Sequence, residues 1–349
     1  MSVDAATVTP ERRLSDTLRE AASKYGLILV LLAFPVYLAI SDLAKDGDLT
    51  ALGNNLVLGL SNGAIIALIA LGYTLVYGII ELINFAHGEV FMIGSFVAFG
   101  LWSQIGLHEG IGVPGLILGL LVAMVVCGTL NVMIERVAYK PLRNAPKLAP
   151  LITAIGFSFI LQNVGILWLG SSQQSVPDLI DQSNQLLNIG GVVIHNGDVL
   201  AIAVTAPLVF LLTTFIARSR LGKAMRATAQ DPDAARLMGI NVNTTISMTF
   251  LLGGMLAGAA GLINLLYQTS VWYFQGFQAG LVAFTAAVMG GIGNLKGAVL
   301  GGLIIGIIQQ LAEFRIGAEW TVAVVFAYLV LIMDFRPQGL IGEVTREAG

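Results

Sequence analysis

The run Ala64-Ile-Ile-Ala-Leu-Ile-Ala-Leu71 lies inside a stretch from Leu49 to Ile80 that contains no charged residue. Its apolar residues follow one another without the polar–apolar alternation that is typical of an outer-membrane β-barrel strand. A helix that crosses the hydrocarbon core of a bilayer needs about 20 predominantly apolar residues. The stretch is long enough for such a helix, so it predicts an α-helical membrane segment and excludes a barrel.

Further uncharged stretches occur along the whole chain, and the longest, Leu237–Leu295, has room for two crossings and a turn. The others are Tyr25–Ser41, Val90–Leu107, Gly110–Ile134, Leu148–Pro177, Val199–Ala217 and Gly297–Ala312, followed by Ile316–Phe335 with charges only near its ends. At the length that one crossing requires, these stretches predict an all-α, polytopic transmembrane helix bundle with about ten membrane segments and roughly eight as a minimum.

The composition excludes several other classes of protein. Charged residues make up 11% of the 349 residues, whereas soluble domains carry roughly 25%. A soluble enzyme of this composition would expose large apolar patches, so the expected surrounding partner is a lipid bilayer. The net charge of −3 gives no indication of nucleic-acid binding. The single cysteine, Cys127, excludes a disulfide framework and a cysteine-rich metal site.

The distribution of basic residues predicts the orientation in the membrane. If the N-terminus is cytoplasmic and each segment crosses once, 16 of the 18 Lys and Arg residues lie on the cytoplasmic side, as the positive-inside rule requires. Only Lys45 and Arg315 lie outside. Both termini are then cytoplasmic, whether Gly280–Ala312 spans the membrane twice or is re-entrant.

This orientation divides the chain into a polar N-terminal extension (1–24), a membrane domain (25–335) and a cytoplasmic tail (336–349). A cleaved signal peptide is the alternative for the N-terminal region, although its acidic residues and its length are unusual for one. The sequence assigns no role to the extension.

Two larger loops are expected on opposite faces. The outer loop, 171–198, contains Gly190-Gly191 between short β-prone runs, which predicts two strands around a tight turn. The inner loop, 218–241, is rich in helix formers, and Asp231-Pro232 is a typical helix start. The inner loop is either a docking surface or a basic, solvated connection.

The segment Glu81-Leu-Ile-Asn84-Phe-Ala-His87-Gly-Glu89 places four polar groups between two apolar stretches. One interpretation is a tight cytoplasmic turn in which Asn84 caps the next helix. The other is a helix break on a translocation path, because intramembrane ionisable groups usually face a bundle interior or a water-filled cavity. The candidate path residues are Asn84, His87, Gly88 and Glu89. No further histidine lies at ligand spacing, so no metal site is predicted.

The remaining motifs do not indicate catalysis. Gly222-Lys223 lacks the glycine that a Walker A motif requires five residues earlier, where Ala217 stands. Gly59-Leu-Ser-Asn-Gly63 opens an apolar helix rather than a strand–turn–helix elbow. The Gly-x-x-x-Gly pairs that begin at Gly115, Gly254 and Gly302 favour close helix packing. The chain is therefore expected not to be an enzyme, and any ATPase must be a separate subunit.

Several ordered motifs resemble the permease subunit of high-affinity branched-chain amino-acid ABC importers. They are Ala67-Leu-Ile-Ala-Leu-Gly-Tyr-Thr-Leu-Val-Tyr-Gly-Ile79, Ile83-Asn-Phe-Ala-His-Gly-Glu89, Glu135-Arg-Val-Ala-Tyr-Lys-Pro-Leu-Arg143, Leu151-Ile-Thr-Ala-Ile-Gly156 and Ala283-Phe-Thr-Ala-Ala-Val-Met-Gly-Gly-Ile-Gly-Asn294. The resemblance extends over roughly residues 50 to 340. It also includes the ATPase-docking element of ABC permeases, to which Asp233-Ala-Ala-Arg-Leu-Met-Gly239 is similar, with Asp in place of Glu and without the later I-x-L-P.

The resemblance implies a heteromeric importer in a bacterial cytoplasmic (inner) membrane. A solute-binding protein would deliver leucine, isoleucine or valine, a homologous second permease would pair with this chain, and two ATPase subunits would bind inside. ATP and Mg²⁺ would reside on those subunits, so no cofactor is expected on this chain. The docking candidates are Asp233, Ala234, Ala235 and Gly239, with Arg226 and Arg236 available for charge pairs.

Three alternatives remain open. Permeases for urea or short amides share the Asn-x-Ala-His-Gly-Glu segment, although Phe85 favours branched-chain amino acids. An ion-coupled secondary transporter would need buried mid-helix carboxylates, for which Glu81 and Glu89 are the candidates. An intramembrane hydrolase lacks a credible nucleophile–base pair.

Overall fold

The protein is represented by a computed structural model that describes residues 31–44, 47–104, 112–143, 145–146 and 148–342. The N-terminal extension and the last seven residues of the predicted tail lie outside the described residues. The helices are α1 (Leu31–Ala44), α2 (Thr50–Ile80), α3 (His87–Phe99), α4 (Gly112–Ile134), α5 (Leu148–Leu169), α6 (Asn196–Arg218), α7 (Arg220–Gln230), α8 (Pro232–Leu237), α9 (Val242–Gln268), α10 (Gln275–Gly290), α11 (Leu295–Arg315) and α12 (Thr321–Phe335).

Short elements complete this list. A π-helical turn, Gly100–Gln104, extends α3, and the turns Glu135–Tyr139 and Lys140–Leu142 extend α4. A 3₁₀ turn, Ala318–Trp320, precedes α12. The strands are β1 (Gln174–Ser175), β2 (Gln185–Ile189), β3 (Val192–His195) and β4 (Ser270–Val271).

Seven helices of the described chain are long and apolar enough to cross a membrane. They are Thr50–Ile80, Gly112–Leu142, Leu148–Leu169, Asn196–Arg218, Val242–Gln268, Leu295–Arg315 and Ala318–Phe335. The predicted class, an all-α polytopic membrane protein, is confirmed. The apolar helices α1, α3 and α10 are shorter, with 14, 13 and 16 described residues.

Small residues bring the long helices together, as the Gly-x-x-x-Gly pairs predict. A Cβ atom added to Gly63 of α2 would lie 2.9 Å from the Cα atom of Leu303 in α11. One added to Gly254 of α9 would lie 2.6 Å from Asn131 Cβ and 2.9 Å from Gly128 Cα, both in α4. Because such gaps do not admit a side chain, glycine at these positions sets the distance between helices.

The bundle contains two similar units, α2–α5 and α9–α12. In the first unit α4 packs against α9, and in the second α11 packs against α2. Contacts also join α3 to α5 and, correspondingly, α10 to α12. The end of α9 lies at the same end of the bundle as the start of α2, so the two units run in opposite directions. This arrangement is an inverted-topology repeat, which is common among membrane transporters.

A hairpin closes the end of the bundle where α2 begins. Strands β2 and β3 are antiparallel, and Gly190 and Gly191 between them have positive φ angles of 59° and 92°. The predicted pair of strands around a Gly-Gly turn is therefore confirmed. The hairpin rests on α2, since the amide of Val193 donates to Asn54 Oδ1 at 2.8 Å. Beside it, β1 pairs with β4 across nearly a hundred residues, a contact that no local pattern predicts.

The opposite end is fastened by the segment that follows α4. The buried carboxylate of Glu135 pairs with Arg143 and accepts a 2.8 Å hydrogen bond from Ser247 Oγ of α9. Arg143 also donates to Asn243 Oδ1 at 2.5 Å. The predicted helical loop lies at this end as α7 and α8, and Asp231 Oδ1 caps α8 by accepting from Ala234 N at 2.9 Å. That prediction, including the helix start at Asp231-Pro232, is confirmed.

Candidate functional site

The chain between α2 and α3 turns back into the bundle. Helix α2 ends at Ile80, and Glu81 adopts a left-handed conformation with φ 52°. Helix α3 begins at His87, whose imidazole is fully buried against Gly72 of α2 and 4.8 Å from the Tyr73 ring. Because Gly72 precedes the end of α2 by eight residues, α3 begins about 12 Å from that end. This helix break therefore begins at an exposed residue, Glu81, and turns back into the bundle before α3 starts.

Asn84 fixes this break by hydrogen bonds. Its Oδ1 atom accepts from the Ala86 amide and from the Tyr139 hydroxyl, both at 3.2 Å. Its Nδ2 atom donates to Asn131 Oδ1 of α4 at 3.2 Å, and Asn131 Nδ2 donates to the Phe250 carbonyl of α9 at 2.7 Å. The N-cap of α3 is Ala86 and has no side-chain cap, so the prediction that Asn84 caps this helix is wrong. Asn84 instead accepts from the Ala86 amide and ties the break to α4 and, through Asn131, to α9.

Glu89 lies one turn beyond the break and is fully buried. Its Oε1 atom accepts from Gln162 Nε2 at 2.8 Å and from Ser158 Oγ at 3.1 Å, both near the middle of α5. Its Oε2 atom has no hydrogen-bond partner in the described chain and lies where a Cβ atom on Gly276 would stand. The carboxylate therefore fills the space between α3, α5 and the start of α10.

A second break mirrors the first. Helix α9 ends at Gln268, Thr269 adopts a left-handed conformation with φ 51°, and α10 begins at Gln275. Segments 81–86 and 269–274 thus have the same length and the same backbone conformation at their first residue. A Cβ atom on Gly276 would lie 2.7 Å from the Gly88 carbonyl oxygen, so the N-terminal turns of α3 and α10 touch. Glu89 Oε2 also lies against Gly276, so this carboxyl group is packed at the point where the two helix starts meet.

The four predicted path residues lie in this junction. Asn84, His87 and Glu89 are at most 1% exposed. Gly88 meets α10 with no room for a side chain. A cavity between α2, α9, α10, α11 and α12, called the outer cavity below, is lined by Phe91 of α3 but by none of these four residues. Their role in translocation stays a prediction, and the contacts they make are those of packing and hydrogen bonding.

The outer cavity is a site that the sequence analysis missed. It has a volume of about 350 Å³ and opens toward the hairpin end between α2, α9, α10, α11 and α12. Its polar lining includes seven amides: Asn62, Gln173, Asn264, Gln268, Gln275, Gln278 and Gln309. Four of the seven lie inside helices that are long and apolar enough to cross a membrane, where polar groups are unfavourable. The sequence signal that could have indicated this cavity is the presence of amide side chains within otherwise apolar stretches.

The predicted docking residues lie together on α8 and the turn after it. Asp233 and Arg236 form an exposed pair at 2.6 Å, whereas Ala235 is buried. Gly239 has a φ of +82° and no described atom within 4 Å of an added Cβ. Leu237 and Met238, which sequence reasoning passed over, are 90% and 83% exposed. The element thus presents two large apolar side chains to its surroundings.

Arg226 has a different position from the other docking candidates. Its guanidinium donates to the Ile216 carbonyl at 2.5 Å and to the Ala217 carbonyl at 3.5 Å. These carbonyls belong to the last turn of α6, where cations interact favourably with the helix dipole. Arg226 therefore fixes α7 on α6.

The fold and the junction define a polytopic membrane protein with an inverted repeat and discontinuous helices, an architecture typical of transporters. Residues 55–333 match the family described as "Branched-chain amino acid transport system / permease component", and the chain belongs to this family.

Relatives cover most of the chain. This chain is 44% identical over 293 residues to the high-affinity branched-chain amino acid transport system permease protein BraD of Pseudomonas aeruginosa. The aligned region covers 82% of this chain and 94% of BraD. The chain is 41% identical over 295 residues to the permease LivH of Escherichia coli K12, at 81% and 93% coverage. The solved structure of PsaBC from Streptococcus pneumoniae in complex with Fab matches with a TM-score of 0.39 and 18% identity over 85% of this chain and 95% of the matched one.

Proposed function

We propose that this chain is the permease subunit of an ABC importer that moves branched-chain amino acids into a bacterial cell. The observation that carries the proposal is the family match, which covers residues 55–333 and so includes both helix breaks and the element α7–α8. The relatives at 41–44% identity are named as permeases of this transport system.

The proposed topology has ten membrane segments and cytoplasmic termini. The seven long helices supply seven crossings, and α1, α3 and α10 supply the other three. Helices α3 and α10 begin within the bundle, and in the proposed topology Gly280–Ala312 crosses the membrane twice rather than being re-entrant, with α10 as the shorter crossing. The excess of Lys and Arg at the α7–α8 end supports a cytoplasmic position for that end, and the membrane would be the inner one.

ATP hydrolysis would be carried out by two separate ATPase subunits, with ATP and Mg²⁺ bound there and no cofactor on this chain. Helix α8 supports this assignment, because Leu237 and Met238 stand exposed beside the Asp233–Arg236 pair. An apolar centre with a charged rim is the usual composition of a docking surface. The solute-binding protein and a homologous second permease complete the proposed assembly.

The test is uptake of labelled leucine in cells that lack this gene, with and without the gene restored. We expect loss on deletion, recovery on restoration and competition by isoleucine and valine. Unchanged leucine uptake with loss of urea uptake would reassign the substrate to the urea or short-amide class. Transport by the purified chain alone, driven by an ion gradient without ATP, would instead establish a secondary transporter.

A further inference from the structure

We propose that the outer cavity is a binding site for the transported amino acid on this chain, occupied after delivery at the outer face. The inference rests on the proposed function for the class of ligand. The location of the site is argued from the cavity itself.

The first argument is an unmatched donor. Gln275, the first residue of α10, lines the cavity and is only 8% exposed, yet its Nε2 group has no hydrogen-bond partner in the described chain. A buried donor without a partner is unfavourable unless a ligand or water completes it. The group lies at a helix N-terminus, where backbone amides and the helix dipole favour an anion. The α-carboxylate of an amino acid would accept a hydrogen bond from Gln275 Nε2 and would carry the negative charge that the helix N-terminus favours.

The second argument is an unmatched acceptor on the facing helix. Gln309 of α11 lines the same cavity, and its Oε1 atom is buried without a partner among the described residues. Glu313, one turn further along α11, also lines the cavity and supplies negative charge. An acceptor and a carboxylate on α11 opposite a donor on α10 match the two charged groups of a zwitterion.

The third argument is the apolar lining, which lies on α2, α3 and α10. Ile65, Ile66, Ile69 and Phe91 are each at most 6% exposed by residue, and Val282 is 5% exposed. These aliphatic and aromatic side chains form a wall suited to a branched aliphatic side chain. Polar groups at one wall and apolar groups at another select a ligand with an amino-acid backbone and an apolar side chain over urea.

The experiment uses the complete transporter in proteoliposomes with its binding protein. Replacing Gln275 by Leu (Gln275→Leu) is expected to lower the amount of leucine transported per ATP hydrolysed about tenfold, with both rates measured in the same vesicles. The matched control is Asn163→Leu, because Asn163 is an exposed amide on α5 whose Nδ2 donates to the carbonyl of Phe159 in its own helix. An unchanged ratio in Gln275→Leu would overturn the site. Absence of branched-chain uptake by the unaltered transporter would overturn the proposed function instead.

A second measurement does not depend on how well Gln275→Leu folds. Asn62→Cys places a thiol on the cavity wall, and Leu186→Cys places one on the exposed hairpin as a control. The native Cys127 is buried, so background labelling is low. Free leucine should slow modification of Asn62→Cys by a membrane-impermeant thiosulfonate at least threefold and leave Leu186→Cys unchanged. Equal rates with and without leucine would refute occupancy of the cavity.

Discussion

Gly88 in the first turn of α3 lies directly against Gly280 of α10: a Cβ atom on Gly88 would stand 2.8 Å from the Gly280 Cα atom. The contact joins two helices that both start inside the bundle, after breaks of equal length. It therefore fixes the distance between the two halves of the inverted repeat at this contact.

Replacing Gly88 by Val is expected to separate α3 from α10. Overpacking of a close contact typically costs about 1–3 kcal/mol, so the melting temperature of the detergent-purified protein should fall by several degrees. The matched control is Gly156→Ala on α5, where no described atom lies within 4 Å of the added Cβ. Alanine there should be neutral or slightly stabilising. Equal melting temperatures for Gly88→Val and the native chain would show that the contact is not tight.

Replacing Glu89 by Leu is expected to reduce uptake more than it reduces the amount of protein in the membrane. The substitution leaves Gln162 and Ser158 without their buried acceptor, at about 1–3 kcal/mol for each unsatisfied group. His87→Leu should act in the same direction, because the imidazole fills the slot beside Gly72. Asp334→Asn, at an exposed carboxylate, is the control. Native uptake per molecule in both variants would assign the junction a packing role only.

Local chemistry made much of this fold predictable. The Gly190-Gly191 turn and the Asp231 cap depend on residues within four positions of each other, and both were found where the sequence places them. The membrane helices were predictable because uncharged stretches of their length have few other stable structures in a bilayer. The docking element was predicted from the family resemblance, but the high exposure of Leu237 and Met238 was not predicted.

The parts that were not predictable depend on distant residues. The cavity joins Asn62, Gln275 and Gln309, which are 247 residues apart at the extremes and have no shared local pattern. The pairing of β1 with β4 has the same cause. Position 84 illustrates the intermediate case: its bond to the Ala86 amide is local, whereas its bonds to Asn131 and Tyr139 require the tertiary fold.

Replacing Gly239 by Leu is expected to uncouple ATP hydrolysis from transport without loss of membrane insertion. A side chain at φ +82° costs about 1–2 kcal/mol in the left-handed conformation, which will reshape the turn after α8. Gly170→Leu is a close control, because Gly170 has φ +83° and equally open surroundings in the described structure, but lies at the hairpin end. Normal coupled uptake in Gly239→Leu would remove this turn from the docking surface.

Replacing Leu237 by Ser is expected to weaken assembly with the ATPase subunits while the permease itself stays as stable as before. Leu237 is 90% exposed, so the substitution removes little from the permease interior. If an ATPase subunit buries the Leu237 side chain in the complex, the substitution should reduce the free energy of binding by about 1.5–3 kcal/mol, or the affinity by roughly 10- to 150-fold. The measurement is the ATPase concentration needed for half-maximal transport in proteoliposomes. Ile189→Ser, at a 65% exposed apolar residue of the hairpin, controls for loss of surface hydrophobicity. An equal ATPase requirement in Leu237→Ser and Ile189→Ser would place the docking surface elsewhere on the cytoplasmic face.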